Sequence, residues 1–435
     1  MLRNADLAAA IAEQHAEYTA RNPESLARHQ AAAGALPGGN TRSVLFYAPF
    51  PLTMLGGEGC YLRDADGASY LDLLGDYTAG LYGHSDPTIA AAITEALGRG
   101  LSLGGHNAAE ARYAAAVQAR FPALERLRFT NSGTEANLLA IATACAVTGR
   151  RGVLAFTGGY HGSVFAFAPG APAALNAPYD FTTAPYNDAA AACAAIGPHL
   201  AAVILEPMQG SGGCIPAEPG FIQAVAAAAR AAGALLIVDE VMTSRLVPGG
   251  LHTMLGVTPD LMTLGKYLGG GLSFGAFGGR AAIMDRFDPH RPGALSHAGT
   301  FNNNTLSMEA GHAGLTRVFT PEAQAALNAR GELLRDRLNG LCRAAGVAMQ
   351  FTGIGSMLAV HFVAWPVRSA ADAGGDPGLR EMFFFDMLAQ GIWMARRGMM
   401  ALSLPVGAAE CARLADAVVG FLDRRAPLLP IMPGA

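Results

Sequence analysis

The stretch from Gly233 to Gly271 constrains this chain more than any other. An apolar run from Ala234 to Val238 closes on Asp239, and a second run from Asp260 to Leu264 closes on Gly265 and Lys266. Short apolar runs without polar alternation predict strands buried on both faces, as in a parallel sheet covered by helices. In an open α/β sheet the reactive groups collect just beyond the carboxyl ends of the strands. Asp239 and Lys266 are therefore expected to face one crevice.

That pairing has a chemical use. A lysine amine condenses with a carbonyl, and pyridoxal phosphate is the carbonyl cofactor that needs a protein carboxylate against its pyridine nitrogen. Taken singly, Asp239 also reads as a turn cap and Lys266 as a solvated surface lysine. The setting of Lys266 favours the chemical reading, because Gly265, Gly269, Gly270 and Gly271 permit close backbone approach and few charges lie near it in sequence.

A chain of 435 residues makes two domains, or one large α/β domain with an appendage. With 51% hydrophobic and 15% charged residues it can bury a large core. A net charge of −4 and the lack of any Lys/Arg block argue against nucleic acid as partner. No window of about twenty residues is free of polar groups, so no membrane span is expected. Asp6 and Glu13 interrupt the amino-terminal apolar positions, unlike a secretory signal. The six cysteines lack CxxC spacing, which points to reduced thiols, a cytoplasmic location and no metal site.

In chain order, the Ala-rich residues up to about 35 predict one or two amphipathic helices, ended by Pro37, Gly38 and Gly39. Arg42 then stands alone among Val44, Leu45, Phe46 and Tyr47, either reaching for solvent or awaiting an anion. Residues 58 to 73 read as a hairpin around Asp66-Gly67. Asp86-Pro87 caps a helix with Ile89, Ile93 and Leu97 on one face.

A strand from Leu127 to Thr130 leads into Asn131-Ser132-Gly133-Thr134-Glu135 and an apolar helix from about Ala136 to Val147. A helix start with hydroxyls is a ready phosphate site, although an ordinary Ser/Thr cap reads the same way. After a strand from Val153 to Thr157, the turn Gly158 to Gly162 offers Tyr160 and His161 as rings to lie on a heteroaromatic. The strand Ala201 to Leu205 ends in Glu206, placed to bond His161, to tune Asp239, or merely to sit at the rim. A helix from Phe221 to Ala232 feeds the opening strand, and this alternation implies a mostly parallel sheet. Beyond Lys266 come a glycine-laced strand from Ser273 to Gly279, a polar loop around Thr300, and a long helix from Thr320-Pro321 carrying Leu327, Leu334, Leu338 and Leu341. Strands near 350–352 and 357–362 follow, then Arg396 and Arg397 between apolar segments.

Together these segments resemble the fold-type I, class III pyridoxal-phosphate aminotransferases. The matching motifs are NSGTEAN (131–137), GGYHG (158–162), EPMQG (206–210), DEVMTSR (239–245), TLGKYLGGG (263–271), GAFGGR (275–280) and GTFNNN (299–304), in the family's order. Within the class the chain is most similar to the β-amino-acid aminotransferases that act on β-phenylalanine, through TRSVLFYAPFPLT (41–53), DYTAG (76–80), YGHS (82–85) and RRGMMALSLP (396–405).

The resemblance implies a large, mostly parallel seven-stranded sheet domain over 75–318, and a smaller α+β domain assembled from 1–74 and 319–435. It implies that Lys266 carries pyridoxal 5'-phosphate and shuttles protons. Asp239 would meet the ring nitrogen, Tyr160 stack on the ring, Met242 pack on its other face, and Glu206 support from behind. Ser132, Gly133 and Thr134 would hold the phosphate together with Thr300 of a second subunit, making a homodimer with shared sites.

A transaminase takes an amino donor and a keto-acid acceptor in turn, so it needs cationic handles for carboxylates. Arg42 matches the handle for a β-amino acid and Arg397 that for 2-oxoglutarate or pyruvate. Arg396 stands where relatives have proline, which leaves open which arginine faces the pocket. Trp393 and Met394 replace smaller polar residues, which leaves its size open. The chief rival is an isomerase like glutamate-1-semialdehyde 2,1-aminomutase, which shares GGYHG, DEVMT and GAFGG; the segment 41–50 and the second arginine argue against it. A regulator or sugar-modifying relative that had lost transamination is disfavoured by the complete set of lysine, aspartate and phosphate loop.

Overall fold

The computed structural model describes residues 6–170 and 174–433. Its centre is a seven-stranded sheet in the order Arg126–Thr130, Gly275–Gly279, Leu261–Gly265, Leu235–Asp239, Leu200–Leu205, Gly152–Phe156 and Asp180–Ala184. All pairings are parallel except those of Gly275–Gly279, which runs antiparallel to both neighbours. The central strands are buried along their whole length. Alternate residues feed two cores: Ile204, Ile237, Leu261 and Phe277 pack on one face, and Val203, Leu205, Leu236 and Val238 on the other. Each such side chain contributes about 1.5–3 kcal/mol on burial, which is why the strands read as unbroken apolar runs.

The first helices span Leu7–Arg21 and Pro23–Ala32. The expected hairpin is part of a meander, Met54–Glu58, Tyr61–Asp64 and Ser69–Asp72, whose turn is tied by Asp64 Oδ1 accepting from the amides of Asp66 and Ala68. Its last strand pairs in parallel with Ile392–Trp393, Leu71 opposite Ile392, so segments from both ends of the chain share one four-stranded sheet. A three-stranded sheet of Gln350–Ile354, Met357–His361 and Met399–Ala401 lies further on.

Caps follow the sequence closely. Asp86 accepts from the amides of Thr88 and Ile89, and Thr320 from that of Ala323. Two expectations shift. Leu97 is 50% exposed, so the helix Pro87–Arg99 is anchored by Ile89 and Ala96 instead. The helix expected from Ala136 begins at Gly133, because Ser132 is its cap and Gly133 to Glu135 form its first turn.

Among the described residues no helix is long and apolar enough to cross a membrane. Nor do three or more His, Cys, Asp or Glu side chains there gather closely enough to hold a metal ion.

Candidate active site

Register sets the site. Asp239 pairs with Thr263 at the carboxyl ends of adjacent parallel strands, and Gly265 delivers Lys266 directly after. Lys266 has φ 56, a left-handed conformation costing about 1–3 kcal/mol in a non-glycine residue. Its Nζ donates to the Tyr77 carbonyl at 2.6 Å. Burial lowers its pKa to about 8; the charge of Asp76 opposes that fall, Arg397 reinforces it, and Asp239 and Arg42 add smaller opposing and reinforcing effects. An amine so tuned exchanges protons near neutral pH.

Asp239 is buried, with Oδ1 accepting from the Val241 amide at 2.9 Å. Its Oδ2 accepts from Asn137 Nδ2 at 2.8 Å and lies 2.8 Å from His161 Nδ1. Burial works against a charged His161, but the bond to Asp239, with its charge and that of Glu206, outweighs it and raises the pKa above the ordinary value. Asn137 was not singled out from the sequence. It also donates to the His161 carbonyl and accepts from Thr263 Oγ1, fixing the acid, the histidine and the strand together. Its signal was a polar residue with hydrogen-bonding needs inside an otherwise apolar helix.

The structure separates the two ring candidates. His161 is turned inward to Asp239 and buried, whereas the Tyr160 side chain is 45% exposed. Glu206 does not bond His161 as the sequence allowed. Its two carboxylate oxygens accept from the amides of Tyr160 and Gly210 at 3.0 Å, which holds the Gly158–Gly162 turn against the sheet. Burial lifts Glu206 to about 7, with Asp239's charge adding and His161 and the two amides opposing. Met242 packs against Gly210, where a Cβ would fall on its sulfur.

Ser132 caps the helix Gly133–Thr148 by accepting from Glu135 N at 3.1 Å. The first amides of a helix have no intrahelical acceptor, so those of Gly133 and Thr134 open at a positive dipole end. Close packing surrounds them: a Cβ at Gly133 would lie 2.9 Å from Val241 Cγ1, and one at Gly162, φ +121, would fall on Thr134 Oγ1. Thr300 is exposed beside Ser102 to Asn107, lining a cavity of about 570 Å³, and Asn302 of the same loop accepts from Asn131 Nδ2 at 2.9 Å. The structure shows no hydrogen bond from it to this helix start among the described residues.

The arginines are also sorted. Arg396 pairs with Glu381 at 2.7 Å, turned outward, while Arg397 lies over the Tyr77 ring at 4.8 Å with a buried Nε lacking any partner. Arg42 pairs with Asp76 at 2.8 Å. Gly75, Asp76, Tyr77 and Thr78 are consecutive left-handed residues, φ 43 to 79. This strained run brings Asp76 to Arg42, the Tyr77 ring to Arg397 and the Tyr77 carbonyl to Lys266. Trp393, packed on the rings of Tyr47 and Phe384, lines a cavity of about 590 Å³ with Asp76 and Leu45; Met394 is in the core.

These residues fit pyridoxal 5'-phosphate. A buried acid stands ready for a cationic ring nitrogen, a partly buried lysine for a carbonyl, and a helix start crowded by glycine contacts for a phosphate, while the orphaned Arg397 Nε awaits an acceptor.

Residues 47–407 match the family model described as aminotransferase class-III. The chain is 53% identical to the β-phenylalanine transaminase of Variovorax paradoxus over 425 residues, covering 97% of this chain and 98% of that one. It is 39% identical to the glutamate-1-semialdehyde 2,1-aminomutase of Sorangium cellulosum, over 86% of this chain and 90% of that one. The crystal structure of the Variovorax paradoxus β-phenylalanine aminotransferase superposes with a TM-score of 0.97 at 52% identity, covering 98% and 100% of the two chains. The chain belongs to the class-III aminotransferases, enzymes of fold type I that work with pyridoxal 5'-phosphate.

Proposed function

We propose that this aminotransferase moves the amino group of an aromatic β-amino acid, of the β-phenylalanine kind, to a keto acid such as 2-oxoglutarate or pyruvate. The observation that carries this reading is the segment Asp76-Tyr77, which gathers both guanidiniums at the Lys266 amine: the Tyr77 carbonyl accepts from Lys266 Nζ at 2.6 Å, its ring lies under Arg397 at 4.8 Å, and Asp76 pairs with Arg42 at 2.8 Å. Two guanidiniums serve two carboxylic acids admitted in turn. The whole-length likeness to a β-phenylalanine transaminase supports the donor class.

When bound, the cofactor supplies a carbonyl that accepts the amino group and a ring that takes up the electron pair left on the substrate carbon. In this reading Asp239 would keep the cofactor's ring nitrogen protonated, and His161 and Asn137 keep the acid oriented. Ser132, Gly133 and Thr134 bind the phosphate, with Thr300 of a second subunit. Tyr160 and Met242 would pack against the cofactor, and Glu206 holds the Tyr160 turn. Lys266 Nζ takes the proton from the substrate carbon and returns it. Arg42 holds the carboxylate of the β-amino acid and Arg397 that of the keto acid.

The assembly in this reading is a homodimer: among the described residues Thr300 makes no hydrogen bond to Ser132, Gly133 or Thr134, and Leu101, Leu103 and Phe301 expose apolar surface beside it. The six cysteines, all unpaired, favour a cytoplasmic location. Residues 75–318 form the large domain, and 1–74 with 319–435 the small one, joined by the pairing of Leu71 with Ile392.

Holoenzyme incubated with β-phenylalanine should consume it only when 2-oxoglutarate or pyruvate is present. Turnover of glutamate-1-semialdehyde with no acceptor, and none of β-phenylalanine, would overturn the proposal in favour of the isomerase.

A further inference from the structure

The guanidinium assigned to the donor already has a carboxylate. Arg42 Nη1 lies 2.8 Å from Asp76 Oδ1, with side chains 48% and 55% exposed. Asp76 precedes Tyr77, whose carbonyl accepts from Lys266 and whose ring lies under Arg397. We propose that Asp76 is a specificity-determining residue, whose carboxylate neutralises Arg42 in the resting pocket and is exchanged for the carboxylate of the incoming amino donor. This rests on the reading of Arg42 as the donor's handle.

Three features support the exchange. A half-exposed ion pair is screened by water and contributes little, so a substrate carboxylate can displace it. The backbone beneath Asp76 is pinned: Asp72 Oδ1 accepts from the amides of Leu74 and Gly75, and the Gly80 amide donates to the Gly75 carbonyl at 2.8 Å. Only the side chain is free to let go, and its exposure gives it water to turn to.

The third feature is charge. Arg397, over the ring of Tyr77 next to Asp76, is a second cation beside the Asp76–Arg42 pair. With Asp76 in place, an aromatic amine lacking a carboxylate meets a neutralised Arg42. Without Asp76 it would meet an uncompensated guanidinium, whereas a donor carrying a carboxylate would meet a vacant partner. Removing the charge of Asp76 should therefore shift the two donor classes in opposite directions, which a merely structural role would not do.

The test is Asp76→Asn in the holoenzyme, asparagine being tolerant of left-handed backbone. The probes are β-phenylalanine and 1-phenylethylamine, which shares the ring and amine but has no carboxylate and is read as a donor or as a competitive inhibitor. D76N should lower the KM for β-phenylalanine about two- to fivefold, the scale of a half-exposed ion pair, and weaken 1-phenylethylamine, with kcat changing less. In calorimetry, 3-phenylpropanoate should bind D76N more tightly than wild type by a similar factor, with no turnover involved. Asp76→Glu, which keeps the charge, should stay near wild type in all three.

Equal shifts for both donors, or unchanged 3-phenylpropanoate affinity, overturn the proposal. Arg42→Ala separates its failure from that of the reading beneath it. If R42A raises the β-phenylalanine KM while D76N shifts nothing, only the Asp76 exchange is wrong; if R42A leaves that KM unchanged, Arg42 is not the handle.

Discussion

The Lys266 ammonium donates to the main-chain oxygen of Tyr77 at 2.6 Å, across 189 positions of sequence. The contact joins the strand-end lysine to the left-handed run that also faces both arginines. Reactive amine and carboxylate handles are thereby referred to one short segment of strained backbone, Gly75 to Thr78.

Replacing Lys266 by alanine should reduce transamination by at least about 10²–10⁴-fold, the usual contribution of a positioned acid–base group. Circular dichroism of the cofactor-free protein should remain close to wild type. Retained turnover at the wild-type rate would remove Lys266 from the chemistry.

The lowered pKa of Lys266 has a signature in stability. In the cofactor-free protein the unfolded chain binds a proton at about 10.5 and the folded chain at about 8, so folding is penalised below pH 8 and the penalty fades as pH rises toward 10.5. Lys266→Met should therefore stabilise the cofactor-free protein most at pH 7, with the gain in melting temperature shrinking between pH 8 and 10.5. A gain independent of pH would contradict this assignment.

Asp239→Asn keeps the shape and removes the charge. A loss of about 10²–10³-fold in kcat/KM is expected from deleting one oriented electrostatic partner, together with faster loss of cofactor on dialysis. Asn137→Ala, which leaves the acid in place but removes one of the two partners of its Oδ2, should give a smaller loss of the same kind.

The two arginines should divide the half-reactions. Arg42→Ala should raise the KM for β-phenylalanine and Arg397→Ala that for 2-oxoglutarate, each by about 10–100-fold, the worth of a charge-assisted hydrogen-bonded pair. Single-turnover measurements of each half-reaction would show the reverse pattern if the assignments are exchanged.

Gly133→Ala would place a methyl group 2.9 Å from Val241 Cγ1. It should cost about 1–3 kcal/mol of stability through overpacking and weaken cofactor retention. Adding Val241→Ala should restore part of both, measured by melting temperature and by absorbance of bound cofactor.

Much of the site was legible because it lies at strand ends and helix starts, where local chemistry leaves a mark. Apolar runs ending in Asp239 and Lys266, the Ser132 cap and the Gly158–Gly162 turn all announce themselves within a few residues. Other parts were not. Glu206 could be placed beside the site but not given its partners, since which amides a carboxylate accepts from depends on how the Tyr160 and Gly210 turns approach it. Asn137 lay hidden one turn inside an apolar helix, and the left-handed run at 75–78 gave no sign, because only Gly75 in it is a residue that adopts such backbone readily.

By itself the sequence determined the strands and helices that frame the site, a mostly parallel sheet and the acid–lysine pair at its carboxyl edge, because hydrophobic period and capping are local properties; it did not mark the edge strand Asp180–Ala184 or the helices Ala108–Arg120, Pro377–Ala389 and Ala408–Arg425. Only the tertiary structure decided that Arg397 and not Arg396 turns inward, that His161 is committed to Asp239, and that Asp76 sits on Arg42. Each of these depends on which side chains from distant segments meet in three dimensions. Neighbouring residues on one strand or loop face opposite ways, and the sequence alone does not say which way finds a partner.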